Sequence, residues 1–492
     1  MTAELRATRG QALRGAGLGL AALALGARVP AYAGRLTGAR IVVVGAGVAG
    51  LTCAHRLRQH GVACSIHEAS NRVGGRTLTL RGFFADGQIV EQGGEAVDTD
   101  HHALRSLVKE LGLKLDDTYA DTPAGLRSNR FQFDGRRYPY AQAVRDFEVV
   151  YPALQRDLRG FRHSPRIAHE LDTMSAADWI DSRVPGGGSS QLGRLLREAY
   201  CAEDGEQTRA QSSLPMLTQL GDSPRRPLSL YGASDERFKV HGGMDQVAGR
   251  MAEMLPSGTI AFDSPLVALR RTAAGSYACT FANGGGSREV RADLVVLALP
   301  FTLLRRVDYS RSGLSAAKDA AIQQLGMGTN AKLTLQFSRR TWVRDGYDGY
   351  IETDRIRGDT WDTTVNQPGR AGILVVYTGG RRGASYPTSA AHAPAPPQVA
   401  RHTVDVLSAI YPNLARDFSG RAHLDAWVHN PWSLGSYAAF EVGQFTRFTE
   451  HVRAGAEGGV HFCGEHTTTA QQGYVDGAVV TGNRVARELL RA

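Results

Sequence analysis

Residues 40–70 read RIVVVGAGVAGLTCAHRLRQHGVACSIHEAS. Four apolar β-formers, Ile41 to Val44, run into Gly45-Ala46-Gly47-Val48-Ala49-Gly50. A helical apolar pattern follows through Leu51, Ala54 and Leu57, and a second short strand ends at Glu68. The order is strand, Gly turn, helix, strand, in one compact unit. Gly45 permits the tight turn, Gly47 lets the backbone approach a pyrophosphate, and Gly50 allows close helix–strand packing. The helix start points its free N–H groups at the phosphates. Glu68, about 20 residues on, can accept hydrogen bonds from a ribose. Gly45, Gly47, Ala49, Gly50, Glu68 and Ala69 are therefore the expected contacts of a dinucleotide. A bare GxGxxG is a weak signal; the strand before it, the helix after it and the acid at the end of the next strand make it a strong one.

Working outward, ASNRVGGRTLT follows at once. Gly74, Gly75 and Arg76 form a second flexible, cationic turn. A guanidinium there can reach a diphosphate, and the glycines let backbone crowd a ring system. The alternative is a surface hairpin. The succession GxGxxG, Glu, NRVGGR resembles the flavin-containing amine oxidase family, which includes monoamine oxidases, polyamine oxidases and L-amino-acid oxidases. The resemblance covers most of 38–492. It implies an α/β architecture: a Rossmann-like FAD-binding domain with an inserted mixed-sheet and helical (α+β) substrate domain. We expect the FAD-binding domain in 34–115, 235–300 and 425–492, and the substrate domain in 116–234 and 301–424.

In QIVEQGGEAVDTDHHALRSLVKELGL a strand ends at Glu91, Gly93-Gly94-Glu95 follow, and a helix runs to a stop near Gly112. By resemblance, Gly93 and Gly94 pass close to the isoalloxazine ring, with Glu95 beside them. Amino-acid oxidases of the snake-venom type place an arginine near this turn to hold the substrate carboxylate. This chain has Glu95 and no arginine until Arg105, which weakens the amino-acid reading. Residues 116–234 carry apolar positions at helical spacing and read as a helical part of the substrate domain. RFKVHGGMDQVAGRMAEML reads as a Gly-Gly turn and a helix with Asp245 in its first turn, TIAFDSPLVALRRT as a strand pair, and ADLVVLALP as a buried strand closed by Pro300. The resemblance implies that Val267 offers its backbone to the adenine. In AKLTLQF, alternation puts Ala331, Leu333, Leu335 and Phe337 on one face and Lys332, Thr334 and Gln336 on the other. Pattern alone permits an exposed strand lysine at 332; the family has a lysine here that reaches flavin N5 through a water and takes part in reoxidation by oxygen. RRGASYPTSAAHAPAPPQVA reads as a Pro/Ala-rich surface loop.

Near the end, NPWSLGSYAAFEVGQ and FCGEHTTTAQQGYVDGAVVTGNRVARELL resemble the last segments of the family. Gly464 and Glu465 make a turn, with the carboxylate towards the ribityl or pyrophosphate region. A helix starts near Asp476, and its N–H groups, with Val475 and Ala478, meet the ring edge, where their partial positive charge favours negative charge on the ring. The two aromatic side chains that flank the amine in the family fall on Tyr437 and Tyr474. Animal monoamine oxidases carry a flavin-bonded cysteine just before the first of these; here that residue is Ser436, so FAD is expected to be non-covalent.

A chain of 492 residues is too long for one simple core. Its net charge of +9 includes no Lys/Arg block, so no nucleic-acid partner is expected. The five cysteines, Cys53, Cys64, Cys201, Cys279 and Cys463, form no CxxC pair, and no metal site is expected. Arg6, Arg9 and Arg14 precede the run GLGLAALALGA, and AYA ends at Ala33. That is the pattern of an export signal over 1–33, and the run is shorter than the ~20 residues of a membrane span. A periplasmic or extracellular location is the preferred reading, with the cytoplasm as the alternative. The expected activity is FAD-dependent oxidation of a primary or secondary amine to an imine, with O2 reduced to hydrogen peroxide. The alternatives are an L-amino-acid oxidase of the same family, a carotenoid-desaturase-like enzyme, and a flavin-binding protein without turnover. The partners expected are a small amine or amino acid and O2, with a homodimer left open.

Overall fold

The structure, a computed structural model, describes residue 36, residues 38–356 and residues 358–491. The expected export segment lies outside the described residues. Among the described residues, no helix is long and apolar enough to cross a membrane.

The Gly-rich unit forms as the sequence implies. Ile41–Val44 is a fully buried strand, Val48–Gln59 is a helix, and Ser65–His67 returns parallel to the first strand. Five parallel strands build this sheet, in the order Val460–Phe462, Leu294–Leu297, Ile41–Val44, Ser65–His67, Ile260–Ala261. A parallel sheet must be covered on both faces. The helices Val48–Gln59 and Val475–Arg491 pack on it through one apolar cluster that includes Leu51, Leu57, Val479 and Leu489. The two helices approach closely: a Cβ on Gly482 would lie 2.5 Å from the Ala49 carbonyl. The first and last described helices thus meet at the dinucleotide turn.

TIAFDSPLVALRRT does not form a strand pair with itself. Ile260–Ala261 closes the parallel sheet, whereas Leu266–Arg271 opens a three-stranded antiparallel meander with Tyr277–Asn283 and Gly286–Ala292. Asp263 at φ +50 turns the chain between the two sheets.

The second body is built on an eight-stranded sheet in the order His392–Pro394, Phe418–Ala426, Ala331–Phe337, Gly372–Thr378, Gly358–Asp362, Ile351–Thr353, Arg130–Phe133, Arg136–Tyr138. Helices including Tyr140–His163, Gln191–Asp204 and Ser213–Gly221 pack round a separate core containing Phe147, Trp179 and Tyr200. The stretch 116–234 is therefore not helical throughout. Its hairpin Arg130–Phe133/Arg136–Tyr138 turns at Asp134-Gly135, both at positive φ, as a two-residue hairpin turn requires. The stretch read as a Pro/Ala-rich loop also holds structure: a short helix, Gly380–Ala384, the edge strand His392–Pro394, and the start of a helix at Pro397.

Candidate active site

One cavity of about 810 Å³ runs from the Gly-rich turn to the face of the eight-stranded sheet. Ligand sites commonly fall within ~300–1,000 Å³. At the first end, Gly45 sits at φ +104 and donates to the His67 carbonyl at 2.8 Å. The helix Val48–Gln59 has no side-chain cap and no acid in its first turn, so its opening N–H groups are left for a ligand. A Cβ on Gly47 would meet nothing within 4 Å, whereas one on Gly50 would stand 2.1 Å from the Gly45 carbonyl. Gly47 thus leaves room in the cavity wall, and Gly50 serves helix–strand contact. Ala49 and Ala69 line the same end. The Glu68 carboxylate is oriented by the Ala46 N–H at 2.7 Å and by Ser70, whose N–H and hydroxyl donate at 2.9 and 2.7 Å. The uncapped helix start and the open space at Gly47 offer donors that fit the pyrophosphate of FAD, and the fixed Glu68 carboxylate offers an acceptor that fits its ribose.

Two expected contacts have partners within the chain. Val267 does not line the cavity. Its side chain is 39% exposed and its carbonyl accepts from the Asp308 N–H at 2.9 Å. Strand alternation turns its neighbour Leu266 inward, and Ser264, Pro265 and Leu266 form that wall instead. Glu465 lines the cavity with Gly464, yet both its oxygens are engaged by the chain. Arg76 Nη1 donates to one at 2.7 Å and the Gly473 N–H to the other at 3.0 Å. Burial pushes the Glu465 carboxyl up, and the Arg76 guanidinium outweighs it, leaving a net shift below the ordinary value. Arg76 Nη1 also donates to the Ser436 carbonyl at 2.7 Å. Arg76 and Glu465 thus tie the Gly74-Gly75 turn, the Tyr437 segment and the Gly473 turn together.

Gly93 and Gly94 line the middle of the cavity, opposite Val475 and Ala478 at the start of the last helix. A Cβ on Gly93 would lie 2.0 Å from the Arg76 carbonyl, and one on Gly94 2.6 Å from a Val475 methyl. Gly75 stands at φ +59 on the facing turn.

Lys332 is buried at 6% exposure, so an exposed strand lysine is excluded. Its ammonium donates to the Glu91 carbonyl at 3.2 Å, the Gly93 carbonyl at 2.8 Å and Glu95 Oε2 at 2.8 Å. Three acceptors match the three donors of an ammonium. These contacts fix the ammonium beside Gly93 and Gly94. Lys239 closes on Glu95 Oε1 at 2.7 Å, and the Thr363 hydroxyl donates to it at 2.7 Å. Burial pushes the Glu95 carboxyl up, but the Lys239 and Lys332 ammonium groups outweigh it and hold it well below the usual carboxylate range. The cluster carries two positive charges and one negative.

Tyr437 and Tyr474 both reach the cavity. The Tyr437 hydroxyl bonds the Tyr377 hydroxyl at 2.9 Å and donates to the Glu203 carbonyl. Its ring lies 3.4 Å from where a Gly473 Cβ would stand, which places it against the turn that delivers Tyr474. The Tyr474 hydroxyl donates to Ser234 Oγ at 3.2 Å, and its ring packs edge-on to His101 at 4.8 Å. Sequence reasoning missed Tyr377 and Trp361, whose rings meet at 5.6 Å and extend this wall, and Lys239. The continuous apolar run GILVVYT marks a buried strand but not which face meets a cavity.

A parallel dinucleotide sheet joined to a walled chamber defines an oxidoreductase that presents a dinucleotide ring to a small organic substrate. Residues 48–490 match the family described as flavin containing amine oxidoreductase, and the chain belongs to that family. Two similar proteins are the L-amino-acid oxidase of Demansia vestigiata, 24% identical over 92% of this chain and 87% of its own length, and the flavin-containing amine oxidase A of Sus scrofa, 25% identical over 92% and 85%. The structure of cyclohexylamine oxidase from Brevibacterium oxydans shares the fold, with a TM-score of 0.78 at 21% identity over 92% of this chain and 98% of its own. The protein is accordingly a flavin-dependent oxidoreductase of the amine-oxidising kind.

Proposed function

We propose that the chain binds FAD non-covalently and oxidises an amine between Tyr437 and Tyr474, yielding an imine and hydrogen peroxide after export from the cytoplasm. The observation that carries this reading is that one cavity joins the dinucleotide turn to both tyrosines. Bound FAD would supply the two-electron acceptor, taking a hydride equivalent from the amine α-carbon and handing the electrons to O2.

The chain's residues do the rest. Gly45, Gly47 and the start of the helix at Val48 receive the pyrophosphate, and Glu68 the ribose. Val475 and Ala478 hold the ring edge at the N-terminus of the last helix, whose partial positive charge favours negative charge there. Tyr437 and Tyr474, with Tyr377 and Trp361, exclude water and offer π faces to the substrate carbon chain. Such walls disfavour an ammonium and favour the neutral amine that reacts. Lys332 contributes fixed positive charge beside the site rather than a free donor. Ser436 supports non-covalent attachment: its hydroxyl donates to Asn330 Oδ1 at 2.6 Å and offers no thiol. Acid precipitation of the purified yellow protein tests this. The colour should move to the supernatant; a yellow pellet would contradict it.

A further inference from the structure

Tyr474 follows Gly473, a glycine at φ +83 that leaves the turn conformationally permissive. The plane of its ring is set by contacts from outside the turn. The hydroxyl donates to Ser234 Oγ at 3.2 Å, and the ring meets His101 edge-on at 4.8 Å. Both supports lead to one buried carboxylate, Asp98, which is 3% exposed. Tyr474 and Ser234 line the cavity, whereas Asp98 and His101 stand behind its wall.

On the His101 side, the Asp98 N–H donates to Nδ1 at 3.0 Å. Nδ1 must therefore accept, and the proton of the neutral ring sits on Nε2, which faces Asp98 Oδ2 at 3.5 Å. His101 is fully buried, and its Nε2 has no hydrogen-bond partner among the described residues, so the attraction to Asp98 is electrostatic. Backbone and carboxylate of a single residue thus set the tautomer and the orientation of the imidazole.

On the Ser234 side, the Glu236 N–H donates to Asp98 Oδ1 at 2.7 Å. The Thr99 N–H and hydroxyl donate to Asp235 at 2.8 and 2.6 Å, and Val97 and Phe238 exchange backbone hydrogen bonds at 2.8 and 2.9 Å. The loop that carries Ser234 is thereby fastened to residues 97–99. Burial raises the Asp98 carboxyl, and His101, the Ser234 hydroxyl and the Glu236 N–H draw it part of the way back. A further tie runs from the Tyr474 side: Asp476 Oδ1 accepts from the Leu104 N–H at 2.7 Å, at the start of the helix His102–Glu110.

We propose that Asp98 is a positioning residue for amine oxidation: it fixes His101 and the Ser234 loop, and through them the plane of the Tyr474 ring. The proposal rests on the reading of Tyr474 as a wall of the amine site. A tilted wall lets the amine α-carbon drift from the geometry in which it reacts, and such drift costs rate more than binding.

The test is anaerobic stopped-flow reduction of the holoenzyme by n-alkylamines and benzylamine, in a cycle of Asp98→Asn, Tyr474→Ala and the double variant. Asp98→Asn should lower the limiting reduction rate ~10-fold with little change in the half-saturating amine concentration or in the FAD affinity of the apoprotein. In the Tyr474→Ala background the same substitution should change the rate by less than ~2-fold, because the residue it acts through is gone. Should Asp98→Asn not fold, Ser234→Ala gives the same reading: it should slow reduction with Tyr474 in place and not in Tyr474→Phe, which has no hydroxyl to hold. An unchanged limiting rate, or an equal slowing in both backgrounds, overturns the proposal while amine oxidation stands. Reduction of Tyr474→Ala at the wild-type rate removes the role given to Tyr474 and the proposal with it. No bleaching by any amine overturns amine oxidation as well.

Discussion

The Lys332 ammonium lies 2.8 Å from Glu95 Oε2, and Lys239 lies 2.7 Å from the other oxygen of the same carboxylate. One buried acid thus serves two bases. Removing the acid leaves the buried Lys332 and the half-buried Lys239 without a counter-charge, and removing Lys332 leaves an intact pair. Glu95→Gln should therefore cost ~3–5 kcal/mol of stability and Lys332→Met clearly less, read by denaturant unfolding. Equal losses would mean that Lys239 does not share the charge.

The same pair sets an acid limit. The folded pKa of Glu95 is depressed, so its stabilisation is complete above the unfolded value of ~4 and is lost as pH falls below it. Thermal unfolding should become steeply pH-dependent below about 4 in the wild type, and less so in Glu95→Gln.

Lys332→Met removes one positive charge from beside the ring and no free donor. The oxygen-consuming half of the cycle should slow by ~10-fold in stopped flow, with FAD still bound, as expected for loss of one partly desolvated charge. Unchanged oxygen kinetics would show that the Lys239–Glu95–Lys332 cluster has no electrostatic role in that step.

Gly47 and Gly50 should respond oppositely to alanine. A Cβ on Gly47 meets open space, so Gly47→Ala should change stability by less than ~1 kcal/mol yet weaken FAD binding at least ~10-fold. Gly50→Ala drives a methyl into the Gly45 carbonyl and should cost ~1–3 kcal/mol of stability. Comparing unfolding with FAD titration of the apoprotein separates the two.

Much of this site could be read in the chain because its parts are local. The turn at 45–50, the acid at 68 and the Gly-Tyr at 473–474 each act through short-range geometry. At Val267 the side chain turns away from the cavity and Leu266 lines it, so side-chain placement there follows the strand rather than the motif. The hairpin at 130–138 is written in FQFDGRRY, whose Asp-Gly turn and alternating aromatics are short beside the helical patterns around it. The Lys239–Glu95 pair, and the Tyr377 and Trp361 rings beside Tyr437, come from segments far apart in the chain. No local pattern announces such pairings; strand register brings them together.

The most direct measurement is the visible spectrum of the full-length protein, purified and then mixed anaerobically with a series of primary and secondary amines. The oxidised-flavin bands should be present, or return when FAD is added to the apoprotein, and should bleach with an amine and reappear on admitting air. A protein that remains colourless after reconstitution, or a yellow one that no amine bleaches, would contradict the account.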